Sequence, residues 1–83
     1  MKNVAMLKDP RYKALQQALV EARLKSRLTQ QDVALRLGKP QSYVSKYESG
    51  ERRLDVVEFL QVCEALGVGA AEILYLLGLD SAS

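Results

Sequence analysis

Residues 28–53, LTQQDVALRLGKPQSYVSKYESGERR, decide how this chain folds. Val33, Ala34 and Leu37 form one apolar stripe at helical spacing. Gly38 follows directly, and glycine takes without cost the positive φ that ends a helix. A second stripe, Val44 and Tyr47, begins six residues after that glycine. Ala34 is small where two crossing helices come closest, so a larger side chain there would push them apart. The stretch predicts two short helices joined by a tight turn.

The flanks extend this pattern. Asp9-Pro10 offers an N-cap carboxylate followed by proline at the first helical position. From there a first helix is expected to about Ser26, with Tyr12, Leu15, Leu19 and Ala22 on one face. Thr29 is placed to cap the second helix, with Asp32 near the capping-box position. The third helix starts near Pro40–Gln41 and ends at Ser49-Gly50, and Glu51-Arg52-Arg53-Leu54 reads as a polar loop. Asp55 caps a fourth helix whose apolar positions include Val56, Phe59, Leu60, Cys63 and Leu66, and Gly67 ends it. A fifth, from about Ala70 to Leu77, is apolar over most of its circumference. No strand, repeat or low-complexity tract is evident. The expectation is an all-α chain with an N-terminal arm at 1–9, one domain at 10–79 and a tail at 80–83.

Eighty-three residues make one domain. A core of that size supplies ~3–5 kcal/mol of net stability, so tight helix packing or a dimer partner is expected to help. Cys63 is the single cysteine, and its apolar setting, VVEFLQVCEAL, fits a buried structural thiol. With neither a basic-then-apolar leader nor an apolar run near ~20 residues, the expected location is cytoplasmic, with association to the nucleoid when bound to DNA. The net charge of +2 hides an asymmetry: residues 1–54 carry all twelve Lys and Arg against five acids, and residues 55–83 carry five acids and no base. A basic body with an acidic end suits one face turned towards a polyanion and another turned away from it. There is no histidine, no metal-ligand cluster and no nucleotide-binding glycine loop, so neither an enzyme nor a cofactor is expected.

Two short helices joined by a tight turn form a helix-turn-helix, the arrangement that sets a helix into the DNA major groove. On these residues the sequence resembles the Cro and phage-repressor type of helix-turn-helix domain, the xenobiotic-response-element (XRE) family of bacterial and phage regulators. The similarity covers roughly residues 12–78 and is densest at 38–55, GKPQSYVSKYESGERRLD. It implies a compact five-helix bundle, DNA binding through the third helix, and a dimer acting on a two-fold-related operator. Three residues depart from the family pattern. Arg27 stands where many members have glycine, just before the leucine matched by Leu28. Lys39 follows the turn glycine where an apolar residue is usual, and Pro40 takes the place of a capping serine or threonine.

On the third helix Gln41, Ser42, Ser45 and Lys46 share a polar face roughly opposite Val44 and Tyr47. Gln41 is the best direct reader, because glutamine can bond adenine N6 and N7 together, and the resemblance implies base contact by this glutamine. Ser42 and Ser45 discriminate less, and Lys46 can reach a guanine edge or a phosphate. Gln30 lies in the second helix's first turn, where the resemblance implies that it anchors the domain to the DNA backbone. Arg52, Arg53, Lys39 and Tyr43 complete the expected phosphate contacts, which add affinity and salt dependence but little sequence information. The resemblance further implies that Arg23 and Glu48 are structural partners in an ion pair and not DNA contacts.

Ile73, Leu74, Tyr75, Leu76 and Leu77 give the last helix more apolar surface than a small core needs, and are expected to form a homodimer interface. The leading expectation is therefore a sequence-specific regulator of double-stranded DNA, more specifically a repressor. The alternative is an antitoxin or another protein-interaction module that also binds its own promoter. Only the first eight or so residues and Leu79–Ser83 are spare for wrapping a partner, which disfavours it.

Overall fold

The computed structural model describes residues 9–78. The arm expected at 1–9 lies outside the described residues except for Asp9, as do Leu79 and the tail at 80–83. Five helices follow one another: α1 (Pro10–Lys25), α2 (Gln30–Leu37), α3 (Gln41–Ser49), α4 (Val56–Leu66) and α5 (Ala70–Leu76). Among the described residues there is no strand.

The helix starts are where the capping side chains put them. Asp9 accepts from the Arg11 N–H ahead of Pro10. Thr29 and Asp32 form a reciprocal box, with the Thr29 hydroxyl accepting from the Asp32 N–H at 3.0 Å and the Asp32 carboxylate from the Thr29 N–H at 2.9 Å. Asp55 and Glu58 repeat the device at α4, at 2.7 and 2.9 Å. α3 and α5 start without a side-chain cap, because Pro40 and Gly69 occupy their cap positions, although the Glu72 carboxylate accepts from the Gly69 N–H at 3.2 Å.

The turn between α2 and α3 is closed by Gly38 at φ 69°, after which the Lys39 N–H bonds back to the Ala34 carbonyl at 3.0 Å. The same closure after α1 runs through Arg27, held at φ 59° although it has a side chain. The Leu28 N–H reaches the Arg23 carbonyl at 3.1 Å across that turn. The departure at Arg27 therefore falls at a backbone conformation that favours glycine.

The core is one cluster of buried residues, with Ala18 and Leu19 from α1, Val33 and Ala34 from α2, and Val44 and Tyr47 from α3. From α4 come Phe59, Val62, Cys63, Ala65 and Leu66, and from α5 Ile73. Leu15, Ala22, Leu28 and Leu37 pack against it while half-buried. α2 packs on α3 and α4, and α1 lies across α3 and α5. Ala34 is 1% exposed, as close approach of α2 and α3 requires.

On α4 the packing selects among apolar positions that the sequence leaves equivalent, and on α5 it corrects the expected dimer face. α4 buries positions 59, 62, 63 and 66, an i, i+3, i+4, i+7 stripe, and turns Val56, Val57 and Leu60 outward. On α5 Ile73 is only 3% exposed, so it belongs to the core and has no surface to offer a dimer partner. A helix apolar all round gives no period from which to choose the buried side; the position of α1 and α4 chooses it.

Candidate nucleic-acid interface

The α3 face opposite the core is polar. Val44 and Tyr47 point inward at 0% and 2% exposure, which turns Gln41, Ser42 and Lys46 to solvent, with Ser45 half-buried beside them. Tyr47 packs edge-on to Tyr43, with ring centroids 5.8 Å apart. Burial pushes the Tyr47 phenol well above its ordinary pKa, and its Oη has no hydrogen-bond partner among the described residues.

Three devices fix α3 in place. At its C-terminal end Gly50 takes φ 90°, and a Cβ there would come within 3.0 Å of Gln16 Nε2. Gln16 Nε2 in turn donates to the Glu48 carbonyl at 3.2 Å, tying α3 to α1. The expected ion pair between α1 and α3 is present: Arg23 Nε donates to Glu48 Oε2 at 2.7 Å and Nη2 to Oε1 at 3.1 Å. A further Arg23 N–H donates to the Leu28 carbonyl at 2.9 Å, so one guanidinium holds both α3 and the loop leading into α2. The bond to Glu48 raises the arginine pKa still further.

Gln30 and Gln41 are brought together. Gln41 Nε2 donates to Gln30 Oε1 at 2.6 Å, and Gln30 Nε2 donates to Glu48 Oε1 at 2.9 Å. A continuous set of polar contacts thus runs from Arg23 on α1 to the first residue of α3. The sequence reading places Gln30 and Gln41 separately, and nothing in their spacing reveals the contact, which arises from the crossing of α2 and α3.

The other four of the five residues expected at phosphates have different settings. Lys39 lies with Nζ 5.3 Å from the Tyr43 ring, and the Arg52 guanidinium sits 4.6 Å from the same ring. Tyr43 is half-buried against the core and acts as the platform for both cations. Arg52 is further engaged by Glu58, through Nη2 at 2.7 Å and Nη1 at 3.1 Å, while its own N–H bonds to the Lys46 carbonyl at 3.1 Å. Glu58 was not singled out from sequence, although it stands three residues after the cap Asp55, where a capping-box acid belongs. The Arg52 guanidinium, followed by the Asp55 N–H, holds the Glu58 carboxyl down at about 2. Arg53 stacks its guanidinium 4.1 Å from the Tyr12 ring, and Tyr12 Oη accepts from the Leu54 N–H at 3.1 Å. The polar loop is thereby folded back against α1, α3 and α4, with its cations beside the end of α3.

Two helices crossing over Ala34, with a polar α3 face bordered by cations, define the helix-turn-helix class of DNA-binding protein. The helix-turn-helix family profile matches residues 19–73. A solved XRE-family-like protein from Pseudomonas syringae pv. tomato str. DC3000 is 42% identical over 95% of this chain and 96% of that one, with a TM-score of 0.85. The chain belongs to the XRE family of helix-turn-helix proteins, whose members bind DNA in transcription regulation. The clp gene regulator ClgR from C. glutamicum is 26% identical over 87% of this chain and 94% of that one, with a TM-score of 0.75. A wild-type restriction-modification controller protein shares the fold at 21% identity, covering 81% of this chain and 87% of that one, with a TM-score of 0.75. No curated protein matches the sequence.

Proposed function

We propose that this chain is a sequence-specific transcriptional repressor that binds double-stranded DNA as a dimer, with α3 of each copy in the major groove of a two-fold-related operator. The observation that carries the reading is the exposed polar face of α3, where Gln41, Ser42 and Lys46 stand clear of the buried Val44 and Tyr47. In this reading Gln41, Ser42, Ser45 and Lys46 address base edges. Gln30, Lys39, Arg52 and Arg53 address phosphates, and Tyr43 holds Lys39 and Arg52 in position. Repression needs no further domain, because occupancy of an operator by itself excludes polymerase. The regulator role named for the C. glutamicum neighbour supports the same assignment.

The dimer face in this reading is the outer side of α5. Leu74, Tyr75 and Leu76 are 40%, 64% and 65% exposed, and Leu77 is half-buried next to them. A groove between α1 and α5, lined by Ala22, Val68, Ala71, Tyr75 and Leu76, continues this apolar surface. Centrifugation of wild type and Tyr75→Glu/Leu76→Glu checks it: a dimer lost in the variant is expected, and a wild-type monomer with and without DNA overturns it.

The function is tested by selecting bound duplexes from fragmented genomic DNA with wild type and with Gln41→Ala/Lys46→Ala. Wild type is expected to enrich a two-fold-symmetric site that the variant does not. Weak, salt-erased binding with no shared motif overturns sequence-specific regulation and leaves only generic attraction by the basic loop.

A further inference from the structure

Glu48 lies on the DNA-reading helix, yet its carboxylate points inward at the junction of α1, α2 and α3, with 7% of the side chain exposed. A carboxylate can only accept hydrogen bonds. Its two oxygens take two N–H groups from Arg23 and one from Gln30. The Gln30 amide must therefore turn its nitrogen inward to Glu48 and its oxygen outward. Gln41 meets that oxygen with Nε2 at 2.6 Å. The direction of each bond in the series from Gln41 to Gln30 to Glu48 follows from the one group in it that has no proton to give.

This directionality has a chemical consequence at the outer end. With one N–H given to Gln30, Gln41 keeps its Oε1 acceptor and one N–H donor. An acceptor beside a donor complements adenine, which offers the N6 amino group and the N7 acceptor in the major groove. Were the series reversed, Gln41 would accept from Gln30 and face outward with two N–H donors. That pattern complements the O6 and N7 acceptors of guanine.

We propose that Glu48 is a positioning residue for base selection, which acts through Gln30 to fix the amide of Gln41 in the orientation that selects adenine. The inference rests on the reading of α3 as the base-contacting helix. Arg23 contributes by holding both carboxylate oxygens, sharing Oε1 with Gln30. Glu48 touches no base; it determines which hydrogen-bonding pattern Gln41 shows to one.

Two variants of the full chain test this. Glu48→Gln brings an N–H into a site ringed by the donors of Arg23 and Gln30, so the Gln30 amide is no longer bound to turn its nitrogen inward and both directions of the series open. Gln30→Met cuts the series and leaves the Arg23–Glu48 pair in place, so it carries the test if Glu48→Gln does not fold. Without DNA, hydrogen exchange of the side-chain amides in 15N-labelled protein reports the contact directly. The Gln41 amide is expected to exchange more slowly than that of exposed Gln61 in wild type, and at the Gln61 rate in Gln30→Met. Equal rates in wild type overturn the proposal. With DNA, duplex selection by wild type is expected to favour adenine at one position of each half-site. Glu48→Gln and Gln30→Met are each expected to relax that preference, by about 5-fold or more. Loss of affinity with the adenine preference intact in both variants reduces Glu48 to a structural role and overturns the proposal. Slow Gln41 exchange together with no sequence-selective binding by wild type overturns the reading of α3 itself, and the base-selection role with it.

Discussion

Arg23 and Glu48 stand 25 residues apart in sequence and meet at 2.7 Å, with 13% and 7% of their side chains exposed. The pair joins α1 to the end of α3, and the same guanidinium closes the loop into α2. Removing one side leaves the other charge largely out of water. Arg23→Met is expected to cost about 3 kcal/mol, because the Glu48 carboxylate keeps only Gln30 as donor. The double variant Arg23→Met/Glu48→Leu is expected to regain most of that loss. Urea unfolding of the two variants checks both; a single-variant cost below about 1 kcal/mol would show that the pair is not holding the helices.

Arg27 carries a side chain at φ 59°. Arg27→Gly is expected to stabilise the domain by about 0.5–1 kcal/mol, the left-handed penalty less the greater freedom glycine has when unfolded. Arg27→Val is expected to destabilise, since a branched Cβ worsens the same clash. Thermal unfolding of the pair settles the sign, and a lower Tm for Arg27→Gly contradicts the account.

The Tyr47 Oη is buried without a hydrogen-bond partner among the described residues, at a site where the ring itself packs fully. Tyr47→Phe keeps the ring and removes the unmet hydroxyl. Stability is expected to be unchanged or to rise by up to about 1 kcal/mol. A loss of more than that would reveal a hydrogen bond that the hydroxyl makes through bound water.

Glu58 supplies an acid-sensitive link between α4 and the loop after α3. Its folded pKa of about 2 lies below the ordinary 4.5, so folding favours the ionised form. The contribution is complete above 4.5 and is lost as pH falls from there through about 2. Glu58→Gln is expected to flatten the acid side of the stability profile and to free Arg52 from its ion pair. Unfolding midpoints measured across that interval test it, and identical pH slopes for wild type and variant would contradict it.

The helices were legible because their signals are local. A capping box, as at Thr29 and Asp32, and a glycine in the left-handed region, as at Gly38, act within a few residues of themselves. The α3 face was legible for the same reason, since Val44 and Tyr47 leave only one side for Gln41, Ser42 and Lys46. Arg52 was less so: sequence shows a loop cation, whereas Tyr43 and Glu58 hold it in place from two other segments.

What the sequence determined by itself, then, is the set of elements and the chemistry each carries, because caps, turns and the clear stripes of α2 and α3 depend on neighbours along the chain. It also carried the family through the stretch at 38–55. The tertiary structure decided matters of orientation. It chose Val62 over Val56 and Leu60 for the core and took Ile73 inward, because an apolar helix has no side of its own to bury until others pack on it. It also joined Arg23, Glu48, Gln30 and Gln41, whose contacts exist only where α1, α2 and α3 cross. Side chains far apart in the chain have no physical relation until packing sets the distance and direction between them.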